Sequence, residues 1–189
     1  MRQTRIDGVR RVFSDFFTVN EATVSYEQPD GAWSPFTKQL SVERGDSAAV
    51  LIHDPERDVF LFVRQFRYPL MRHGEPWPLE IVAGAIDPEE TAEAAVRREA
   101  LEEVGVTLNR VRKVTEYFGS PGGLSEKITI FEAEGRYAGG GGGLEGEDVE
   151  VVEIPCAEAF GMAERGEIHD GKSLVALLWR MRGGVSSAR

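Results

Sequence analysis

Residues 84–106 read GAIDPEETAEAAVRREALEEVGV, and their reading decides the fold. After Asp87-Pro88, a helix start, the stretch EETAEAAVRREALEEVG has helical spacing. Gly105 stands where a C-terminal glycine cap belongs. At about 100° per residue, Val96, Ala100, Leu101 and Val104 are expected on the buried side, and Glu99, Glu102 and Glu103 on the opposite one. Like charges at i and i+4, as at Glu99 and Glu103, cost an isolated helix roughly 0.2–0.5 kcal/mol. Such crowding needs a reason.

Carboxylate oxygens are the ligands that Mg²⁺ and Mn²⁺ prefer, and two of them one turn apart can converge on one ion or a pair. Glu99 and Glu103 have that spacing, with Glu102 beside them. Arg98 can pair with a nearby carboxylate and fix its rotamer, while Gly84 and Gly105 allow backbone conformations that a side chain would obstruct. An isolated EALEE would read as a solvated acidic helix face. What separates the two readings is the surrounding spacing.

Upstream, VFSDFFTV, EATVSYEQ, WSPFTKQLSV, SAAVLIHD and VFLFVRQF are rich in β-branched and aromatic residues. Turn signals at Pro29-Asp30-Gly31 and Asp54-Pro55-Glu56-Arg57 break them into a meander of strands. A break at Arg44-Gly45-Asp46 divides a small N-terminal β-unit, residues 1–45, from a main domain over 46–189. Downstream, strands are expected at 111–118, 126–134 and 149–154, then helices at 155–165 and 171–182. Helices inserted among mixed strands predict an α/β or α+β sandwich rather than repeated strand–helix units. The unbroken glycines 139–143 predict a mobile loop without intrinsic structure.

The 189 residues suit one domain of ordinary size, or one with a small appendage, and can bury a real core. A formal net charge of −10 opposes non-specific contact with nucleic acid or anionic lipid, so neither is an expected partner. No apolar run reaches the roughly 18 residues of a spanning helix, and the N-terminus lacks a signal-peptide stretch, so a cytoplasmic protein is expected. Cys156 is the single cysteine, which rules out an internal disulfide and a thiol-cluster metal site. His53, His73 and His169 lack zinc-ligand spacing and read as surface or loop residues.

Written by its fixed positions, the opening stretch is Gly84, five residues, Glu90, seven residues, Arg98-Glu99, two residues, Glu102-Glu103, one residue, Gly105 and Val106. With 21 Gly, 23 Glu and 18 Arg in the chain, seven such residues coincide by chance roughly once in 10⁷ starting points. The pattern resembles the Nudix box, with Ala100 small for a position usually filled by a larger aliphatic residue. SPGG at 120–123, with Pro121 sixteen residues after Gly105, resembles the ADP-ribose pyrophosphatase branch of Nudix hydrolases. GEDVEVVEIP and GEIHDGKS resemble the branch that includes bacterial GDP-mannose hydrolase, and with VRQFRYP at 63–69 the likeness spans nearly the whole chain.

The resemblance implies an α/β/α Nudix sandwich with a mixed sheet, and an N-terminal β-unit exchanged across a homodimer. It implies metal ions held by Glu99, Glu103 and the Ala83 carbonyl, with Glu147 or Glu102 as further ligand or base and Arg98 as orienter. Lys38, Arg67, Gly84, Ala85, Glu126, Gly146 and Lys172 match substrate-binding positions. The implied activity is Mg²⁺-dependent hydrolysis, with Mn²⁺ also accepted, of a nucleoside diphosphate sugar, ADP-ribose first. GDP-mannose or another such sugar is the alternative, although Lys38-Gln39-Leu40 departs from the GDP-mannose pattern. A nucleoside triphosphate pyrophosphohydrolase and a non-catalytic nucleotide-sugar sensor are the remaining rivals.

Overall fold

A computed structural model describes residues 1–143 and 148–186. Its order is β1 (Thr4–Ser14), β2 (Thr18–Tyr26), β3 (Thr37–Glu43), β4 (Ser47–Asp54), β5 (Val59–Arg64), a 3₁₀ turn (Tyr68–His73), β6 (Leu79–Glu80) and β7 (Val82–Ala85). There follow α1 (Ala92–Val104), β8 (Asn109–Phe118), β9 (Lys127–Glu134), β10 (Glu150–Pro155), α2 (Cys156–Glu164) and α3 (Gly171–Ser186). The chain forms two compact units, one of Met1–Asp46 with Phe118–Lys127, the other of Ser47–Tyr117 with Ile128–Arg189.

In the larger unit the strands run β10-β5-β4-β9-β8, with β6 against β5 and β7 against β4. The sheet is mixed: β4 pairs parallel with β9 and antiparallel with β5 and β7. Along β4, Ala48, Val50 and Ile52 enter one core with Val96, Ala100 and Val104 of α1, while Ala49 and Leu51 enter another with Ala159 of α2 and Leu177 of α3. A strand covered on both faces needs a continuous apolar run, and SAAVLIHD supplies one. Helices on both faces give the α/β/α sandwich.

The helix α1 begins later than Asp87-Pro88. Thr91 is its N-cap, the side-chain oxygen accepting from the Ala94 N–H, and Asp87–Glu90 forms a turn in which the Glu90 N–H reaches the Asp87 carbonyl at 3.0 Å. Gly105, at φ 66°, ends the helix as expected. Two side chains depart from the expected faces: Leu101 is 59% exposed, whereas Glu103 is only 6% exposed. The helical angle accounts for both, since Glu103 lies about 20° from Val96 around the axis and Leu101 about 140° from it.

The glycine run also differs from a structureless loop. All five residues, Gly139 to Gly143, have φ between 76° and 112°. Gly142 N–H donates to the Glu103 carbonyl at 2.8 Å and Gly143 N–H to that of Glu102 at 3.2 Å, so the run caps the C-terminus of α1. A Cβ at Gly141 would stand 2.4 Å from the Glu103 carbonyl oxygen, which is why this approach requires glycine.

In the smaller unit, VFSDFFTV is not one strand. It bends at Asp15–Phe17, where the Asp15 carboxylate accepts from the Phe16 N–H, and joins β1 to β2 as an antiparallel pair. Residues 120–123, SPGG, turn so that the Gly123 N–H meets the Ser120 carbonyl at 3.1 Å, and the Gly123 carbonyl accepts from Val42 N–H of β3. Among the described residues no helix is long and apolar enough to cross a membrane.

Candidate active site

Three elements of the larger unit build the acidic centre. β7 is pinned to β4 through Ala49↔Ala83 and Ala48↔Gly84, and α1 packs over it. A Cβ at Gly84 would fall 1.8 Å from Glu99 Oε1, so the Glu99 carboxylate occupies the space directly above this glycine. Ala83 N–H donates to Glu103 Oε2 at 3.4 Å. Both carboxylates therefore converge on the Ala83–Gly84 backbone.

Arg98 ties the rest of the box together. Its guanidinium donates to Glu90 Oε1 and Oε2 at 3.2 and 3.1 Å, to Glu99 Oε1 at 2.7 Å, to Glu102 Oε2 at 3.2 Å and to the Ala85 carbonyl at 3.0 Å. The Glu90 hydrogen bonds contribute most to holding Arg98 strongly protonated, against the opposing effect of burial. Glu90, held chiefly by Arg98, stays below the usual carboxylate range.

Glu103 has the opposite character. Burial first, and then the negative charge of Glu99, push its carboxyl up to about 8, against the smaller opposing effects of the Ala83 N–H and Arg67. No lysine or arginine nitrogen among the described residues lies within 4.0 Å of its oxygens. A buried carboxylate beside a second one, with backbone oxygen at hand, is a donor set that suits a hard divalent cation: the cation would supply the charge that Glu103 lacks.

Arg67 and Lys172 do lie near each other, joined by a residue that the motif reading missed. Glu80, at the end of β6 and 7% exposed, accepts from Arg67 Nε at 2.7 Å and from Lys172 Nζ at 3.1 Å. Lys172 also donates to Asp170 Oδ1 at 2.6 Å. Arg67, Glu80 and Asp170, with Leu70, Pro78 and His169 among others, line a cavity of about 410 Å³. The sequence signal for Glu80 was slight, a single carboxylate in the apolar run PLEIVAG.

The other expected residues fall elsewhere. Lys38 and Glu126 belong to the smaller unit, where Lys38 Nζ is 3.3 Å from Glu21 and the buried Glu126 is 3.7 Å from Arg44 Nε. Gly146 and Glu147 lie outside the described residues. His53 is a strand residue of β4, half-buried, with Nε2 3.2 Å from Asp58 Oδ1, and not a loop residue. With Asp58 and Cys156 it forms a group whose ligand atoms lie within 4.8 Å of one another, a proximity no spacing rule shows. Burial above all, then Asp58, pushes the Cys156 thiol up to about 12.

Comparison with known proteins points one way. The NUDIX domain family model matches residues 43–177. GDP-mannose pyrophosphatases of Escherichia coli O1:K1 and of Shigella boydii serotype 4 are 35% identical over 173 residues, covering 88% of this chain and 90% of theirs. A solved ADP compounds hydrolase superposes with a TM-score of 0.74 at 24% identity, covering 99% of this chain and 97% of its own, which supports the fold.

Proposed function

Because the chain belongs to the Nudix hydrolase family and is an enzyme, we propose that it hydrolyses the diphosphate bond of a nucleoside diphosphate sugar with Mg²⁺, Mn²⁺ being an alternative ion. The observation that carries this is the convergence of Glu99 and the uncompensated Glu103 on the Ala83–Gly84 backbone. Glu99, Glu103 and the Ala83 carbonyl would hold the metal. When bound, the ions neutralise the diphosphate and acidify a water molecule.

The protein's own groups do the remaining work. Arg98 fixes the Glu99 and Glu102 carboxylates, so that their oxygens need no reorganisation when substrate arrives. Glu102 or Glu147 takes the proton from the attacking water. Arg67 and Lys172 face the phosphates, with Gly84 and Ala85 presenting backbone to the substrate and Lys38, Glu126 and Gly146 completing its contacts. The 1–45 unit serves dimerisation and substrate contact; exposed Ile6, Val9, Phe13 and Phe16 support a homodimer that covers them.

ADP-ribose is the first substrate to assay, on the SPGG spacing. GDP-mannose is the second reading, favoured by the 35% identical pyrophosphatases. Incubation with both sugars and Mg²⁺, followed by chromatography of nucleoside monophosphate and sugar phosphate, tests the proposal. Cleavage of neither, or preferential release of pyrophosphate from nucleoside triphosphates, overturns it. Light scattering in solution checks the dimer, and a monomer at micromolar concentration contradicts that part.

A further inference from the structure

Among the described residues of the larger unit, Glu80 is the one buried carboxylate that sits between two cations. Its two oxygens are divided: Oε2 takes the Arg67 Nε–H, and Oε1 takes one Lys172 Nζ–H. Among the described residues this leaves both Arg67 Nη nitrogens and one of the three Lys172 donors unengaged, since Asp170 takes the other. The remaining donors thus belong to two side chains held on one carboxylate, and of this group Arg67, Glu80 and Asp170 line the cavity.

The support extends to the backbone. Ile81 N–H, the residue after Glu80, donates to Ser173 Oγ at 2.8 Å, and Ser173 Oγ donates to Asp170 Oδ2 at 2.6 Å. The N-terminus of α3, which carries Lys172, is therefore tied to the strand segment that leads into Ala83–Gly84. Burial alone would lower the Lys172 ammonium, but Asp170 and Glu80 together outweigh it and keep the group charged. Lysine and arginine side chains are rich in rotamers, and a carboxylate that engages both removes that freedom before ligand arrives.

We propose that Glu80 is a positioning residue that holds Arg67 and Lys172 as a preformed two-cation clamp for the diphosphate of the substrate. The proposal rests on the nucleotide-sugar reading of this site and adds a residue to it. Two roles for Glu80 predict opposite signs. A carboxylate acting only as a negative charge would, once neutralised, strengthen diphosphate binding; one acting as a clamp would weaken it.

The test compares wild type with Glu80→Gln and Glu80→Asp in steady-state hydrolysis, and in calorimetric binding of α,β-methylene-ADP with Mg²⁺. For Glu80→Gln we expect KM to rise and analogue affinity to fall, each by about tenfold, with kcat within about threefold; Glu80→Asp should lie between. In an Arg67→Ala/Lys172→Ala background, Glu80→Gln should add less than about a twofold effect, because the clamp is already gone. Unchanged or tighter analogue binding by Glu80→Gln, an equal loss in that background, or no analogue binding by wild type overturns the inference. Should Glu80→Gln lose its folded circular dichroism, the KM and kcat of Glu80→Asp decide alone. Failure of wild type to cleave any sugar defeats the proposed function instead, while the analogue binding still judges Glu80.

Discussion

Two glutamates of the larger unit are buried to nearly the same extent, Glu80 at 7% and Glu103 at 6% exposure, yet they live in opposite electrostatic settings. Glu80 sits between Arg67 and Lys172, so its charge is balanced within the chain. Glu103 faces Glu99 and has its carboxyl raised to about 8. Burying a charge without a partner is costly, and a fold tolerates it where something outside the chain supplies the partner. The difference separates a carboxylate whose charge the chain itself balances from one that, among the described residues, has no lysine or arginine nitrogen within 4.0 Å.

The sharpest way to break this comparison is Glu103→Gln. With Glu103 in its proposed metal-holding role, turnover of the best sugar should fall by roughly 10³-fold or more. The same variant should raise stability in metal-free buffer. The Glu103 carboxyl titrates at about 8 when folded and near 4.5 when unfolded. The folded state then binds the extra proton between those values, and stability falls as pH rises from about 4.5 towards 8. Wild type in chelator should lose roughly 1–3 kcal/mol across that window, and Glu103→Gln should not. Thermal melts at pH 5, 6.5 and 8 measure it; identical slopes for the two proteins would refute the assignment.

Gly84→Ala comes next. Its Cβ would meet Glu99 Oε1 at 1.8 Å and displace that carboxylate from the Ala83–Gly84 backbone, leaving Glu80 and its cations alone. Activity at fixed Mg²⁺ should drop by roughly 10²-fold, with part of the loss recovered at higher Mg²⁺. Titration of rate against Mg²⁺ checks this, and a wild-type curve would contradict it.

Gly141→Ala probes the cap on the helix that carries Glu103. Positive φ and a contact of 2.4 Å to the Glu103 carbonyl should destabilise the protein by roughly 1–3 kcal/mol, read by chemical denaturation. A loop without fixed structure would show no such loss. The smallest effect belongs to Leu101→Ser on the exposed side of α1, expected within about 0.5 kcal/mol of wild type in the same measurement.

Much of this was legible in the chain. The box spacing placed Glu99 and Glu103 one turn apart on a helix ended by Gly105, because helical periodicity is local and 3.6 residues per turn depends on no distant contact. SAAVLIHD read as a strand, and its burial on both faces follows from helices packing on either side. The same arithmetic, applied residue by residue, puts Glu103 inside the apolar stripe and Leu101 outside it; grouping the glutamates by charge obscured that. The 120–123 turn was recognisable as SPGG, but its grouping with the N-terminal strands rests on the Val42–Gly123 hydrogen bond, eighty-one positions apart.

By itself, the sequence determined the glutamate-rich helix, its Gly105 cap, the family and the class of ion its carboxylates suit, the helix features resting on residues within a few turns of each other. Only the tertiary structure decided that Glu80 joins Arg67 to Lys172 across ninety-two positions, that Gly142 and Gly143 cap α1, and that Glu103 is buried beside Glu99 with, among the described residues, no lysine or arginine nitrogen within 4.0 Å. Those features depend on which surfaces are brought within hydrogen-bond reach and shut off from water, and packing between distant segments sets both.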